Sequence, residues 1–197
     1  MVQETYDTAL ACNSFFSKSN SIIADIGIGV IGLPQYYELQ KKIVKHYMES
    51  EQKWKMFVNG SINDYNTGCS ILNELGIHPD EFDNYIYERP RDAKELVKCV
   101  TSFDKVISFR MHSQIIASAY GIPSYGFAWD NKVRELYCKL GLPMSCGNPN
   151  DDVNWNSVEI AFSIDSSVLK NKANSAGKMS IKSLTEQIQK WRQSYDP

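Results

Sequence analysis

The sequence has no long apolar run and no strong excess of charge of either sign. No stretch approaches the roughly 18 apolar residues of a membrane-spanning helix, and the first twenty residues lack the basic start and apolar core of a signal peptide. The 21 Lys and Arg nearly balance the 23 Asp and Glu, so the net charge is −2 and no overall positive field recruits nucleic acid. We therefore expect a cytoplasmic protein with at most peripheral membrane association.

Histidine and cysteine are scarce, and their spacing is unsuited to a metal site. The three histidines lie far apart without HxH or HExxH spacing, and none of the five cysteines forms a CxxC pair. An odd number of cysteines in a reducing compartment predicts free, mostly buried thiols. The sequence thus predicts neither a metal ion nor a bound cofactor.

The chain contains apolar strands that alternate with amphipathic helices. Strand-like segments cover residues 26–31, 54–58, 84–87, 104–109 and 124–127. Strands separated by helices of about 10–15 residues indicate βαβ units and a parallel sheet. The expected fold is therefore α/β, with a single Rossmann-like, doubly wound parallel sheet.

Composition divides the chain into three segments. Residues 1–20 are a weakly patterned N-terminal extension with one helix expected over 6–16, and residues 21–145 are expected to form the Rossmann-like domain. Residues 146–197 are a loop and a C-terminal helical extension. Richness in Gly, Pro, Asn and Asp predicts a loop over 143–156. Helical spacing predicts a terminal amphipathic helix that carries Ile181, Leu184, Ile188 and Trp191.

Gly27, Gly29 and Gly32 form a GxGxxG pattern that we interpret as a chance match. In dinucleotide-binding folds the helix begins inside this motif, and an acidic residue ends the next strand. Here the residues between the glycines are strand-like, and the next strand ends at Asn59. The pattern therefore does not predict a dinucleotide site.

Charged residues follow the predicted strands at their carboxyl ends. Right-handed crossovers bring these ends to one edge of a parallel sheet, where α/β proteins bind anionic ligands. Arg110 and His112 lie there, between a buried strand and a helix, and Ser113 could cap that helix. Arginine presents a fork of donors to phosphate or carboxylate, and histidine carries a proton near neutral pH. The edge would also gather residues 59–61, 88–89 and 129–130.

Each candidate residue also has a simpler structural interpretation, which the sequence leaves open. Arg110 can pair with a structural carboxylate, and His112 can cap its helix. Asn59 and Ser61 can belong to a turn that caps the following helix, and Lys132 can be an exposed lysine at a helix start. The residues alone therefore favour an anion-binding edge without settling it.

The segment around Arg110 resembles the polysaccharide pyruvyl transferase family. The resemblance rests on Asp104-x-Val106-Ile107-x-x-Arg110-Met111-His112-Ser113, then Gly121-x-Pro123 and Lys132-Val133. Met111 stands where the family usually has Leu. The similarity extends from about residue 26 to residue 143 and is most specific over 104–133.

This resemblance implies a C-terminal, donor-binding lobe of a GT-B-like fold. It implies transfer of pyruvyl from phosphoenolpyruvate to a sugar of a surface polysaccharide or its precursor, forming a pyruvate ketal. Arg110 and the backbone at Met111 would hold the donor, and His112 would be the general acid/base. Further predicted substrate contacts are Ser113, Asn59, Ser61 and Lys132. Family members usually have two lobes, so a separate N-terminal lobe or another subunit is an expected partner.

Two other functions stay open at this point. A GT-B-type glycosyltransferase lobe would bind the diphosphate of a nucleotide sugar at the same edge. A lone lobe could instead be a non-catalytic binding module.

Overall fold

A five-stranded parallel sheet forms the centre of the computed structural model, which describes residues 7–59 and 61–195. The strands are β1 (Ala24–Gly29), β2 (Trp54–Phe57), β3 (Phe103–Ser108), β4 (Ser124–Phe127) and β5 (Cys146–Gly147). Their order across the sheet is β2-β1-β3-β4-β5, and every neighbouring pair is parallel. The expected α/β fold with one parallel sheet is confirmed.

Helices connect the strands and cover the sheet. They are α1 (Tyr37–Met48), α2 (Ile62–Glu74), α3 (Phe82–Tyr85), α4 (Ala93–Val100), α5 (Met111–Tyr120), α6 (Asn131–Lys139), α7 (Trp155–Phe162) and α8 (Ser166–Tyr195). Short 3-10 helices cover Thr8–Ser14, Pro34–Tyr36, Pro79–Glu81 and Pro143–Ser145. Pro34 starts the turn that leads into α1, where its fixed φ suits a first helical position.

The two faces of the sheet bury two separate apolar clusters. One cluster packs α1, α2 and α7 on the sheet, and the other packs α4, α5, α6, α8 and the 3-10 helix Thr8–Ser14. In β3, Val106 joins one cluster and Ile107 the other, because successive side chains of a strand point to opposite faces. Strands buried on both faces are apolar nearly throughout, which explains their visibility in the sequence.

The strand predicted over 84–87 is wrong. Tyr85 ends α3, and Ile86 alone forms a parallel bridge to Met56 of the edge strand β2. The apolar side chains there serve packing instead of sheet extension: Ile86 is buried, and the Tyr85 ring lies 5.2 Å from that of Trp54.

The structure differs from the sequence-based expectations in two further segments. The helix expected over 6–16 is the 3-10 helix Thr8–Ser14, and Tyr6 lies outside the described residues. The loop expected over 143–156 includes β5 and the start of α7. Gly147 of β5 fits close to β4, since a Cβ there would lie 2.4 Å from the Tyr125 hydroxyl.

The terminal helix α8 is 30 residues long, or about 45 Å. Its first half packs on α5 and on the 3-10 helix Thr8–Ser14, and it buries Leu169, Ala173 and Ala176. Gly177 allows this close approach, because a Cβ there would lie 3.0 Å from backbone atoms of Leu10 and Ala11. The terminal segments therefore share the apolar clusters of the sheet.

Candidate functional site

Among the described residues, three helices that follow strands, α1, α2 and α5, begin without a side-chain cap, and of these only α1 continues from a 3-10 helix. α2 begins after Ser61 and α5 after Arg110, and neither preceding side chain accepts a hydrogen bond from its helix. By contrast, α4, α6 and α7 are capped by Asp92, Asp130 and Asn154. Unpaired backbone N–H groups and the helix dipole attract anions to such a terminus. The sheet edge therefore presents two helix starts suited to negative charge.

An ion pair joins the starts of these two helices. Arg110 donates from Nε to Asp64 Oδ2 at 3.1 Å and from Nη2 to both carboxylate oxygens at 2.6 Å. Asp64 Oδ1 also accepts from the backbone N–H of Gly32 at 2.8 Å. The pairing of Arg110 with a structural carboxylate, which the sequence left open, is thus present.

The ion pair leaves part of Arg110 accessible. The Asp64 side chain is 1% exposed, whereas that of Arg110 is 27% exposed. Within residues 7–59 and 61–195, no group accepts a hydrogen bond from Nη1 of Arg110. The carboxylate therefore fixes one edge of the guanidinium, and the other edge can receive an anion.

Three buried polar atoms near these helix starts have no partner among the described residues: Ser113 Oγ, Gln114 Oε1 and Asn59 Oδ1. Ser113, in the first turn of α5, is fully buried and its Oγ makes no hydrogen bond. The Oδ1 atom of Asn59, which follows β2, is also buried and makes no hydrogen bond. Buried polar groups nearly always have a hydrogen-bond partner in folded proteins. The atoms without one at these helix starts are therefore compatible with a bound ligand or ordered water.

The structure places His112 away from the Arg110 ion pair. His112 is exposed and lines a groove of about 480 Å³ between α5, α4, α8 and the 3-10 helix Thr8–Ser14. The lining of this groove is mainly apolar and includes Phe16, Leu96 and Ile116, but not Arg110. His112 and Arg110 therefore do not share a cavity in the described chain.

Met111 and Lys132 lie together in a second groove, of about 280 Å³, between α5 and α6. Ile115, Leu136 and the acidic Glu135 also line it. Ser61 is exposed at the start of α2. The seven predicted site residues thus follow strands at one edge of the sheet, but they do not share a cavity: His112 lines one groove, and Met111 and Lys132 line another.

Two residues that position Arg110 were not singled out for that task by the sequence. In the sequence Asp64 follows the turn at 59–61 and is an acidic residue in the first turn of a helix, and neither feature predicts its contact with Arg110. Trp129 donates from Nε1 to the carbonyl oxygen of Phe109 at 2.6 Å. Phe109 also stacks on Phe127 with ring centroids 4.6 Å apart, so the loop before Arg110 is held on two sides.

The other reactive side chains offer no competing centre. Among the described residues, no three His, Cys, Asp or Glu side chains lie close enough to share a metal ion. Burial raises the pKa of the Cys12 thiol to about 11, and burial does the same for Cys146. These thiols stay protonated near neutral pH and are poor nucleophiles.

Comparison with known proteins assigns the chain to a family. A family model described as polysaccharide pyruvyl transferase matches residues 1–131. The chain belongs to the polysaccharide pyruvyl transferase family. The matched range of this transferase family includes the α5 start with Arg110, Met111, His112 and Ser113, and it stops before Lys132. No curated protein matches the sequence.

Solved structures of longer chains are similar to this family member in fold. A mutant O-GlcNAc transferase from Thermobaculum terrenum is similar with a TM-score of 0.58 and 12% identity, over 89% of this chain and 36% of that chain. The N-terminal domain of Candida albicans trehalose-6-phosphate phosphatase gives a TM-score of 0.47 and 14% identity, over 81% of this chain and 41% of that one. The first similarity shows that this pyruvyl transferase family member has the fold of one GT-B-like lobe.

Among the described helices of this family member, none combines the length and the hydropathy needed to cross a membrane.

Proposed function

We propose that this protein binds phosphoenolpyruvate and takes part in transferring its pyruvyl group to a sugar of a surface polysaccharide or its precursor. The observation that carries the proposal is the start of α5. There an uncapped helix terminus, the accessible edge of Arg110 and the unpaired Oγ of Ser113 occur within four residues. Family membership supports the same reaction class.

The chemistry of the donor suits this helix start. Phosphoenolpyruvate carries a phosphate and a carboxylate, and both are bound well by backbone N–H groups at a helix terminus and by guanidinium. In the proposal, the Nη1 edge of Arg110 and the first N–H groups of α5, including that of Met111, hold one anionic group. Lys132, Asn59 and Ser61 are proposed to contact the remainder of the substrates from neighbouring parts of the edge.

The proposed reaction converts one phosphoenolpyruvate and two sugar hydroxyls into a pyruvate ketal and phosphate. An acid protonates C3 of the enol, which makes C2 electrophilic, and the first hydroxyl attacks C2 and gives up its proton. Phosphate then leaves C2 as its C–O bond breaks, and the second hydroxyl adds there and loses its proton. His112 is proposed as the group that delivers and collects protons.

The proposal requires a surface beyond the one described. His112 lines an apolar groove that does not include Arg110, so the two would meet one substrate only across an additional wall. The chain spans 36% of the length of the similar O-GlcNAc transferase structure. We infer that a facing lobe or another subunit supplies the acceptor side of the site.

Donor binding can be tested by isothermal titration of the purified protein with phosphoenolpyruvate. We expect Arg110→Lys to weaken binding at least about tenfold, because lysine lacks the second planar edge of the guanidinium. Arg91→Lys is the matched control, since Arg91 is an exposed arginine that pairs with Glu88 away from α5. Binding of UDP-glucose but not phosphoenolpyruvate would support a nucleotide-sugar glycosyltransferase instead.

The role of His112 can be tested by phosphate release from phosphoenolpyruvate with a saccharide acceptor. We expect His112→Ala to abolish release while leaving donor affinity unchanged, because His112 lies outside the Arg110 ion pair. Turnover that survives His112→Ala contradicts the assigned role.

The separation of His112 from Arg110 also favours a second candidate, a non-catalytic donor-binding lobe. Donor binding that needs Arg110, together with no phosphate release at any acceptor concentration, would support this candidate.

A further inference from the structure

The second half of α8 carries an apolar stripe whose side chains are substantially exposed within the described part of the chain. Ile181, Leu184, Ile188 and Trp191 are between 38% and 61% exposed and recur at intervals of three and four residues. At 3.6 residues per turn these positions lie on one side of the helix. Ser180 and Ser183 are buried and lie on a different side of α8, the side that packs on the protein. The stripe therefore lies beside the packed side of α8 and faces outward.

The stripe continues into the apolar groove described above. Ile181 and Leu184 line that groove together with Phe15, which is itself strongly exposed. From residue 187 to residue 192 every position of α8 is exposed, so the stripe runs past the body of the lobe. One continuous apolar surface thus extends from the groove along the projecting end of α8.

The charge of this half-helix is opposite to that of the remaining chain. Residues 178–192 contain four of the chain's 21 Lys and Arg but one of its 23 Asp and Glu. At helical spacing Lys178, Lys182 and Arg192 border the stripe on its solvent side, and Lys182 approaches an acid, Glu186, at 4.0 Å. A helix with an apolar face, flanking basic residues and low mean hydropathy is typical of binding in the interface of an anionic membrane.

We propose that the second half of α8 is a peripheral membrane-binding helix that lies on an anionic lipid surface. The apolar stripe enters the boundary between headgroups and acyl chains, and the bordering basic side chains contact the lipid phosphates. The charge complementarity selects an anionic bilayer over a neutral apolar partner. This inference does not depend on the donor chemistry proposed at α5.

Cosedimentation of the full chain with vesicles tests the proposal. We expect binding to vesicles of phosphatidylglycerol mixed with phosphatidylcholine, weak binding to phosphatidylcholine alone, and release by added salt. Ile188→Ser should lower the partition coefficient about tenfold, because a half-exposed apolar side chain is removed from the buried stripe. The matched control is Val168→Ser, since Val168 is 43% exposed on the same helix and Ile188 is 45% exposed.

The electrostatic part of the proposal has its own variants. Lys178→Gln should lower binding to anionic vesicles about fivefold, as expected for one lysine near a charged bilayer. Lys45→Gln, an exposed lysine on α1, should leave binding unchanged.

Three results would overturn the proposal. They are equal binding to neutral and anionic vesicles, binding that Ile188→Ser does not reduce, and an absence of vesicle binding. In the last case light scattering shows whether Ile188→Ser converts a dimer to a monomer, which would mean that a second copy covers the stripe.

Discussion

The ion pair between Arg110 and Asp64 gives the sharpest test of how this edge of the sheet is held. Arg110→Met removes every donor of the guanidinium but keeps a side chain of similar length. The Asp64 carboxylate, 1% exposed, is then left with the Gly32 N–H as its one remaining partner among the described residues. Loss of one partner from a buried ion pair lowers the free energy of unfolding by about 3–5 kcal/mol, because an uncompensated charge stays buried.

Replacing Asp64 instead of Arg110 should lower the free energy of unfolding by a smaller amount. In Asp64→Asn the unpaired group is Arg110, which is 27% exposed and can be solvated in part. The amide can also still accept from Gly32. We therefore expect a loss of about 1–2 kcal/mol in the free energy of unfolding for Asp64→Asn. The double variant should resemble Asp64→Asn, because it leaves no buried charge without a partner, and the two single effects should fail to add by at least about 2 kcal/mol.

Unfolding by urea measures these differences in free energy, and unfolding by heat measures the corresponding shifts in Tm, both followed by circular dichroism. For a chain of this size each kcal/mol shifts Tm by roughly 2–4 °C, so Arg110→Met should lower Tm by roughly 6–20 °C. Arg91→Met is the control, because the Arg91–Glu88 pair is largely exposed and its loss should not change Tm measurably. If Arg110→Met costs less than about 1 kcal/mol, or if the single effects add, the ion pair does not organise this edge in the way described.

The same variants separate stability from binding. Asp64→Asn leaves the guanidinium in place and should still bind phosphoenolpyruvate, whereas Arg110→Met should not. Equal loss of donor binding in both variants, measured where both are folded, would mean that the ion pair and not the guanidinium alone forms the site.

Other predictions concern the aromatic support, the close contact of α8 and the thiols. Trp129→Phe keeps an aromatic side chain but removes the hydrogen bond to the carbonyl oxygen of Phe109. It should lower the free energy of unfolding by about 1 kcal/mol in urea titrations. Gly177→Val should be destabilising in thermal unfolding, because its Cβ would meet backbone atoms of Leu10 and Ala11, whereas Lys178→Val at the next, exposed position should have little effect. Iodoacetamide should label exposed Cys138 faster than buried Cys12 and Cys99, and Cys138→Ser should remove the fast phase. Burial raises the thiol pKa of Cys12 and Cys146 from 9.0 to about 11, so their contribution to stability is complete below pH 9. That contribution is lost between pH 9 and pH 11, because the unfolded chain loses these protons first, and urea midpoints across this range measure the loss.

The order of apolar and polar residues along the chain predicts the sheet, its parallel direction and the edge at which to look for a site. Buried parallel strands must be apolar on both faces, so four of the five strands appear as short apolar runs between amphipathic helices. The position of Arg110 and His112 between a strand and a helix follows from local order alone. β5 was not visible because a strand of two residues, Cys146 and Gly147, has no periodicity to detect.

Contacts between distant parts of the chain set which partners Arg110, His112 and residues 84–87 have. The Arg110–Asp64 pair joins residues 46 positions apart, and no local pattern specifies such a contact. Residues 84–87 have the composition of a strand, but a single bridge to β2 and the packing of Tyr85 on Trp54 take precedence over that propensity. The placement of His112 toward α4 and α8, away from Arg110, is likewise set by helices that are distant in sequence. Local sequence fixed the chemistry available at the sheet edge, and long-range packing fixed which of those groups face a common space.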